Sequence, residues 1–212
     1  MKNFGNILII GDSYSTFDGY IPKAYHTWYT KGSERTDVHD VTETWWWQLV
    51  KETNSTLFLN ESFSGTTICN TERPNIPHTS FYYRLEEKLI ASGFFENHHI
   101  DTIFLFGGTN DSWIDSPIGD IDNINFDKES LKQVLPAFHY IVKRLKSVSP
   151  SSNIVVVINS DIKPSIQDGF ASICEKLSVS YIQLQNIHKQ NGHPNKQGMS
   201  EIKEQIITAI LS

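Results

Sequence analysis

The stretch Asn6-Ile7-Leu8-Ile9-Ile10-Gly11-Asp12-Ser13 decides the fold. Its apolar run has no polar alternation, which is typical of a short strand buried on both faces of a parallel sheet. In open parallel sheets, ligands bind just beyond the carboxyl ends of the strands. Gly11 permits a sharp turn there, and Ser13 follows that turn. We therefore expect a reactive hydroxyl at this edge, while Asp and Ser acting only as turn formers remains the alternative.

The composition is that of one globular domain. The chain of 212 residues shows no repeat or linker, so we expect a single domain over residues 1–212. A formal net charge of -6 argues against a nucleic-acid partner, because such binding needs clustered Lys and Arg. No apolar stretch approaches the ~20 residues that span a bilayer. If Met1 is the native start, no signal peptide precedes the first strand, and we expect a cytoplasmic protein. The composition gives no oligomeric state.

The cysteines and the acidic residues do not indicate a metal or redox site. Cys69 and Cys174 form neither a disulfide framework nor a Cys-x-x-Cys pair, so we expect two reduced structural thiols. No spacing of His, Cys and Asp is that of a metal site, and we predict neither a metal nor a cofactor. Asp12 and Asp111 are expected to bond backbone amides and hold their loops.

Strand and helix patterns alternate along the chain, which predicts a parallel sheet covered on both faces. The predicted strands after the first are Thr56–Asn60, Thr102–Phe106, Asn153–Ile158 and Val179–Leu184. The predicted helices are one through Trp45–Val50, then Ser80–Ala91, Lys128–Ser147, Pro164–Leu177 and Asn195–Leu211. Asp40 to Glu43 has the pattern of a capping box, and Pro136 should kink or restart its helix. Residues 16–39 and 115–125 are predicted loops.

Small polar residues follow three of the strands, and a histidine precedes the last helix. Ser13 follows the first strand, the loop ending at Gly65 follows the second, Asn110 follows the third, and His193 precedes the last predicted helix. A serine becomes a good nucleophile when a histidine removes its proton. The backbone amides of Ser13 and Gly65 and the side chain of Asn110 could hold an oxyanion. This set of groups is what acyl transfer from an ester needs.

Four short blocks occur in order along the whole chain: Gly11-Asp12-Ser13, Asn60-Glu61-Ser62-Phe63-Ser64-Gly65, Gly108-Thr109-Asn110-Asp111 and Gly192-His193-Pro194. They resemble, in order, the nucleophile, oxyanion-glycine, Gly-x-Asn-Asp and histidine blocks of the SGNH (GDSL-type) hydrolase family. The resemblance implies a three-layer α/β/α flavodoxin-like domain with a mostly parallel five-stranded sheet. It also implies metal-independent ester hydrolysis, with Ser13 as nucleophile, His193 as base, and Gly65 and Asn110 in the oxyanion hole.

The chain departs from this family at the position three residues before the histidine. The family usually has Asp there, whereas this chain has Gln190. An acidic partner fixes the histidine tautomer, and its loss costs ~10⁴ in rate in a serine protease. Gln190 could present its amide oxygen to the His193 ring, present its NH₂ group instead, or point away and leave a backbone carbonyl to orient the ring. Gln190 and Asp12 are the candidate orienting residues, and His188 is a less convincing partner. We interpret the site as a Ser-His dyad with an uncharged orienter.

Five side chains in or near the loops are candidates for substrate contact: Tyr14, Trp28, Tyr29, Trp113 and Arg73. Amphipathic rings suit the faces of carbohydrates. In the alternative, the loop with Trp28 and Tyr29 packs its rings together as a surface lobe. Arg73 could meet a polar substrate or only a carboxylate. We expect the substrate to carry a short acyl group, acetyl above all, on a polar and carbohydrate-like alcohol.

The sequence thus predicts a serine esterase and leaves alternatives open. An acyltransferase would use the same residues with a sugar or alcohol in place of water. A carbohydrate-binding descendant would keep the pocket and lose turnover, and Gln190 is the feature that suggests it. A nucleotide-binding flavodoxin-like module is disfavoured, because the sequence has no Gly-rich loop ending in Lys-Ser/Thr.

Overall fold

The fold is built on one parallel sheet. The computed structural model describes residues 3–71, 73–121 and 126–211. The sheet strands are β1 (Asn6–Gly11), β2 (Thr56–Ser62), β3 (Thr102–Phe106), β4 (Asn153–Ile158) and β5 (Ser180–Gln183), and two short strands, β6 (Lys189–Gln190) and β7 (His193–Pro194), form a separate antiparallel hairpin. The sheet order is β2-β1-β3-β4-β5, and all four neighbouring pairs are parallel. This is the flavodoxin-like order. All five predicted strands are confirmed.

The helices lie between the strands along the chain. They are α1 (Trp45–Glu52), α2 (Phe81–Tyr83), α3 (Phe94–Asn97), α4 (Thr109–Trp113), α5 (Val134–Val148), α6 (Pro164–Leu177) and α7 (Lys196–Leu211). Helix α2 continues directly as a π-helix over Arg84–Ile90, and three-residue 3₁₀ turns occupy Ser13–Ser15, Val41–Glu43 and Ser130–Lys132. In the part of the chain that the structure describes, no helix is both long and apolar enough to cross a membrane.

Each predicted helix is present, with differences at the ends. Helix α5 begins at Val134, so Pro136 lies in its first turn, where a missing N–H breaks no intrahelical bond. Pro136 therefore restarts the helix, and only a 3₁₀ turn precedes it. The capping box of Asp40 and Glu43 caps the 3₁₀ turn rather than α1, which has Thr44 as its own cap. The short helices α3 and α4 were not predicted. Residues 122–125 of the predicted loop 115–125 lie outside the described residues.

The sheet has a hydrophobic core on each face. Alternate residues of a strand point to opposite faces. Leu8 and Ile10 of β1 accordingly belong to one cluster, with residues of α5 and α6, while Ile7 and Ile9 belong to a second cluster with residues of α1 and α7. Helix α5 contacts α6, and α1 contacts α7. The predicted three-layer α/β/α architecture is confirmed.

The carboxyl ends of β2, β1 and β3 meet closely. Gly11 at the end of β1 pairs with Ser62 of β2 on one side and with Phe106 of β3 on the other. A Cβ atom at Gly11 would lie 2.4 Å from the hydroxyl oxygen of Ser62, so only glycine fits here. The segments that follow these three strands are therefore neighbours in space. Cys69 and Cys174 are free and buried, as expected.

Candidate active site

Ser13 lies in the 3₁₀ turn that follows β1. The backbone N–H of Tyr14 donates to Asp12 Oδ1 at 3.0 Å, which caps the turn. The Thr16 hydroxyl donates to the Ser13 carbonyl at 2.9 Å. Only 1% of Ser13 is exposed. Hydrogen bonds within four residues of sequence thus cap this turn and hold the Ser13 carbonyl.

A buried arginine donates a hydrogen bond to the backbone just before this turn. The Arg84 guanidinium donates to the carbonyl of Gly11 through Nη2 at 3.0 Å, to the carbonyl of Glu61 through Nη1, and to the carbonyl of Thr79 through Nε at 2.9 Å. Arg84 is 1% exposed and so joins the ends of β1 and β2 inside the protein. This role was not predicted, because a lone Arg in a helical pattern carries no signal of burial.

The two acidic residues of the matching blocks hold loops, as predicted. Burial raises the pKa of Asp12 to about 7. Asp111 accepts from the backbone N–H of Ile68 at 2.8 Å and from the Sγ of Cys69 at 3.2 Å, and burial raises its pKa as well. Asp12 bonds to the backbone N–H of Tyr14 and makes no hydrogen bond to His193, so the structure does not bring this candidate orienting residue to the imidazole.

His193 contacts Ser13 directly. Its Nε2 lies 3.0 Å from Ser13 Oγ, and its Nδ1 lies 3.0 Å from the carbonyl oxygen of Asn191. Because a carbonyl only accepts, Nδ1 carries the proton and Nε2 presents its lone pair to Ser13. Gln190 is exposed, and His188 bonds to Glu201 instead. Of the three possibilities for Gln190, the structure has the one in which a backbone carbonyl orients the ring.

The orienting carbonyl belongs to the turn of the β6–β7 hairpin. Gln190 pairs with His193, and the two residues between them, Asn191 and Gly192, have φ angles of 50° and 76°. Two consecutive positive φ angles are those of a type I′ turn, for which Asn-Gly is the preferred pair. This hairpin was not predicted, although the Asn-Gly dipeptide was the signal for it.

Four aromatic rings surround the His193 imidazole. Trp28 stacks on it, with ring centroids 3.5 Å apart and planes 8° apart. Trp113 and Tyr14 each lie 5.4 Å away, and Tyr29 lies 6.4 Å away. The aromatic residues expected at a substrate pocket are thus gathered around the histidine.

Two of these rings serve the hairpin rather than an open pocket. The Tyr14 hydroxyl donates to the carbonyl of Gly192 at 2.6 Å, and the Tyr29 hydroxyl donates to that of Pro194 at 2.8 Å. Both tyrosines are buried, and their hydroxyls hold the residues on either side of His193. Their contact with substrate stays a prediction. Trp28 is half-buried, and Trp113 is 49% exposed.

The proposed oxyanion donors lie in the loops after β2 and β3. In the described ranges, the backbone N–H groups of Ser13 and Gly65 have no acceptor within the protein. Gly65 has a φ of 87°. The Asn110 side chain donates from Nδ2 to the Thr66 carbonyl at 2.9 Å, which leaves its second amide hydrogen for another acceptor. Arg73 donates to the carbonyl of Gly65 and so holds this loop. A polar substrate or a carboxylate was the expected partner of Arg73, and its partner in the structure is this backbone carbonyl.

Burial and nearby cations keep the imidazole neutral. Burial lowers the pKa of His193 to about 4, and the positive charges of Lys189 and Arg35 act in the same direction. Lys189 bonds to Asp161 at 2.6 Å and to the Asn159 side chain at 3.0 Å. Among the described residues, no group of three or more His, Cys, Asp or Glu side chains could hold a metal ion. The arrangement provides a hydroxyl, a neutral base aligned with it, and unpaired N–H donors in adjacent loops.

Comparison with known proteins shows a family for this chain. A model of the GDSL-like lipase/acylhydrolase family matches residues 5–210. A solved structure from Bacteroides ovatus, assigned as a GDSL-like lipase, has 36% sequence identity and a TM-score of 0.88, with 98% of each chain covered. A protein of the same assignment from Bacteroides uniformis has 35% identity and a TM-score of 0.87, with 98% of this chain and 95% of that chain covered.

More distant structures share the fold. An acetyl xylan esterase from the rumen bacterium Butyrivibrio proteoclasticus has a TM-score of 0.63 at 16% identity, with 97% of this chain and 63% of that chain covered. At this identity the likeness shows the fold alone. No curated protein sequence matches the chain.

Proposed function

Because the chain belongs to the GDSL-like lipase/acylhydrolase family, we propose that it is a serine esterase that removes short acyl groups, acetyl above all, from a carbohydrate-like alcohol. The observation that carries the proposal is the 3.0 Å distance between Ser13 Oγ and the unprotonated Nε2 of His193. We include a sugar ester as the substrate class in this proposal because an acetyl xylan esterase shares the fold.

In the proposed reaction, His193 acts first as base and then as acid. Its Nε2 takes the proton from Ser13 as Oγ attacks the acyl carbon. The N–H groups of Ser13 and Gly65 and the Asn110 amide donate to the oxyanion. The imidazolium then gives its proton to the oxygen of the leaving alcohol, and the acyl group remains on Ser13. Water attacks this acyl-enzyme with His193 again as base, which releases the acid and restores the hydroxyl.

Among the described residues, no carboxylate bonds to the His193 ring, and a neutral carbonyl takes that place. The Asn191 carbonyl fixes the useful tautomer, because only a protonated Nδ1 can donate to it. A neutral acceptor stabilises the imidazolium less than a carboxylate does. The proposed enzyme therefore relies on preset geometry more than on charge.

The burial of the site supports a small acyl group. Ser13 is 1% exposed and His193 is 4% exposed. A nucleophile with so little exposed surface suits an acyl carbon with few substituents. We therefore expect acetate esters to react faster than butyrate esters.

The test is hydrolysis of nitrophenyl acetate and nitrophenyl butyrate by the parent and by Ser13→Ala. The substitution should lower kcat by about 10⁴-fold or more, since it removes the nucleophile. Ser92→Ala is the matched control, because Ser92 precedes β3 and so lies toward the opposite end of the sheet. Equal rates in the parent and Ser13→Ala would contradict the proposal.

The same assay separates hydrolysis from transfer. A sugar acceptor added to the acetate reaction should leave acetic acid as the main product if water is the natural acceptor. A dominant sugar ester would identify an acyltransferase that uses the same acyl-enzyme. Sugar binding with no Ser13-dependent turnover would identify a binding protein instead.

A further inference from the structure

Trp28 lies between a cation and the proposed catalytic base. One face of its indole stacks on the His193 imidazole, with centroids 3.5 Å apart and planes 8° apart. Over the indole, the Arg35 guanidinium carbon lies 4.9 Å from the ring centroid. Such a distance is within the range of a cation–π contact. Arg35, Trp28 and His193 thus form one stack.

The hydrogen bonds of His193 alone leave its ring weakly held. A carboxylate partner would form a charge-assisted bond to Nδ1–H, roughly twice as strong as a bond between neutral groups. Here Nδ1–H has only the neutral carbonyl of Asn191. A ring packed at 3.5 Å against a flat indole cannot rotate about its Cβ–Cγ bond without colliding with it. The stack therefore supplies the restraint that the missing carboxylate would give.

The backbone of Trp28 is also tied to the turn that carries Ser13. The Trp28 N–H donates to the Thr16 hydroxyl at 2.9 Å, and that hydroxyl donates to the Ser13 carbonyl at 2.9 Å. Trp28 thereby contacts His193 directly through its ring, and the Thr16 hydroxyl links its backbone to Ser13. A shift of Trp28 would change the distance between them.

Arg35 contacts both Trp28 and the hairpin that carries His193. Its carbonyl accepts a hydrogen bond from the Asn191 side chain at 2.9 Å, and Asn191 supplies the carbonyl that orients the imidazole. The residue that covers Trp28 therefore also holds the hairpin turn. The segment from Trp28 to Arg35 and the β6–β7 hairpin form one unit.

We propose that Trp28, held by Arg35, is the positioning residue that keeps the His193 imidazole aligned with Ser13 in place of a triad carboxylate. The inference rests on the proposed esterase function for its kinetic part. It differs from the sequence-based expectation, which made Trp28 a contact for substrate. The two interpretations predict different kinetic effects.

The kinetic test is Trp28→Leu compared with Trp28→Phe. A misplacement of about 1 Å costs on the order of 10²-fold in rate. Trp28→Leu should therefore lower kcat on nitrophenyl acetate by about 10- to 100-fold with KM nearly unchanged. Trp28→Phe, which keeps a flat ring, should recover most of kcat. A raised KM at constant kcat would instead show a substrate platform and overturn the proposal.

The chain offers a matched control for this substitution. Trp47 on α1 has the Lys51 ammonium 5.1 Å from its ring centroid and contacts neither Ser13 nor His193. Trp47→Leu removes a similar cation–indole pair and should leave kcat within about twofold of the parent, because only packing on a helix changes. A loss of kcat as large as that of Trp28→Leu would mean that general loosening of the fold explains both.

A second test needs no turnover. Nitrogen NMR of His193 in the resting protein should show a protonated Nδ1 whose hydrogen exchanges slowly with water, and Trp28→Leu should make that exchange at least tenfold faster. Unchanged exchange in Trp28→Leu would overturn the proposal. If the parent shows the restrained ring and hydrolyses no ester, the esterase function fails while the positioning role stands.

The pKa of His193 tests whether the Arg35 charge acts on the imidazole. The charged and titratable groups around the imidazole are Lys189 of β6, which is paired with Asp161 of the loop after β4, Arg35, and the two tyrosine hydroxyls that donate to the hairpin. Arg35→Gln removes a positive charge and should raise the His193 pKa in the NMR titration, with Asn191 still bound to residue 35 through its backbone. A pKa that stays the same or falls would remove Arg35 from the proposal.

Discussion

Ser13 and His193 lie 3.0 Å apart, but they are held by different kinds of contact. Ser13 is fixed by its neighbours in sequence, through the cap from Asp12 and the hydroxyl of Thr16. His193 is fixed by side chains from the opposite end of the sequence, such as Tyr29, which is 165 residues from the Pro194 carbonyl that it binds. Ser13 thus lies in a locally capped turn that distant side chains reinforce, whereas the hairpin that carries His193 is held mainly by distant side chains.

The difference follows from the elements that carry the two residues. The Ser13 turn continues a strand that is paired on both sides within the sheet. His193 begins a two-residue strand in an isolated hairpin. A two-stranded hairpin is marginally stable by itself, so its geometry depends on what packs around it. Substitutions in the two regions should therefore differ in kind and in size.

The largest expected effect is from removing Arg84, a distant residue that supports the Ser13 region. Arg84→Met leaves three buried carbonyls without their donor, and each such loss costs about 1–3 kcal/mol. We expect the free energy of unfolding to fall by about 3–5 kcal/mol, measured by urea denaturation. Arg144→Met, which removes a partly exposed ion pair with Glu86, should cost less than about 1 kcal/mol. Equal losses would show that Arg84 does not join the strand ends.

The next largest effect is expected in the pH dependence of the rate, because the pKa values of Asp12 and His193 are shifted in opposite directions. Burial raises the pKa of Asp12 beside Ser13 to about 7 and lowers that of His193 to about 4. Since the base must be neutral, kcat/KM should hold as pH falls through 6.5 and should decline only as pH passes below about 4. A pH–rate profile from pH 3 to 7 measures this limb. Because the pKa of Asp12 is about 7, a decline centred near 6.5 would have to persist in Asp12→Asn to mean that His193 titrates as a solvated imidazole.

A smaller effect is expected from the hydroxyls that hold the hairpin. Tyr14→Phe and Tyr29→Phe each remove one hydrogen bond to a backbone carbonyl and keep the ring beside His193. Each should cost about 1–3 kcal/mol in unfolding free energy, because the carbonyl loses its donor, and each should lower kcat several-fold. Tyr181→Phe removes an exposed hydroxyl contact with Glu175 and serves as control. Stability losses without any change in kcat would separate the hairpin from catalysis.

The smallest effect is expected at the position where the family usually has its acidic residue. Gln190 is exposed, and the structure gives its side chain no hydrogen-bond partner among the described residues. Gln190→Ala should leave kcat within about twofold of the parent, since surface substitutions rarely matter. A loss of tenfold or more would return Gln190 to the orienting role and displace the Asn191 carbonyl.

The fold could be predicted from the sequence because its signals are local. Each parallel strand is a short apolar run that needs no knowledge of its partners. The π-helix after α2 and the short helix α4 could not be predicted, since their patterns do not differ from those of an α-helix and a loop. The hairpin at Asn191 was predictable in principle, but its flanking strands have only two residues each and no alternating pattern.

The site could be predicted only in part, for the same physical reason. Ser13, Gly65, Asn110 and His193 each follow or precede a recognisable element. The stack on His193 could not be predicted, because Trp28 lies in an irregular loop and its partner is far away in the sequence. Tyr14 and Tyr29 were assigned to substrate because an aromatic residue in a loop gives no sign of whether its hydroxyl is already bonded.

The separation of 180 residues between Ser13 and His193 has a consequence for the order of events in folding. Contacts between residues far apart in sequence form late, because a long segment of chain must be closed before they are gained. The helices and the pairs of neighbouring strands can therefore assemble while the protein is still inert. During refolding from urea, ester hydrolysis should return after the helical circular dichroism signal. Recovered activity would then report the last step of assembly, the docking of the hairpin.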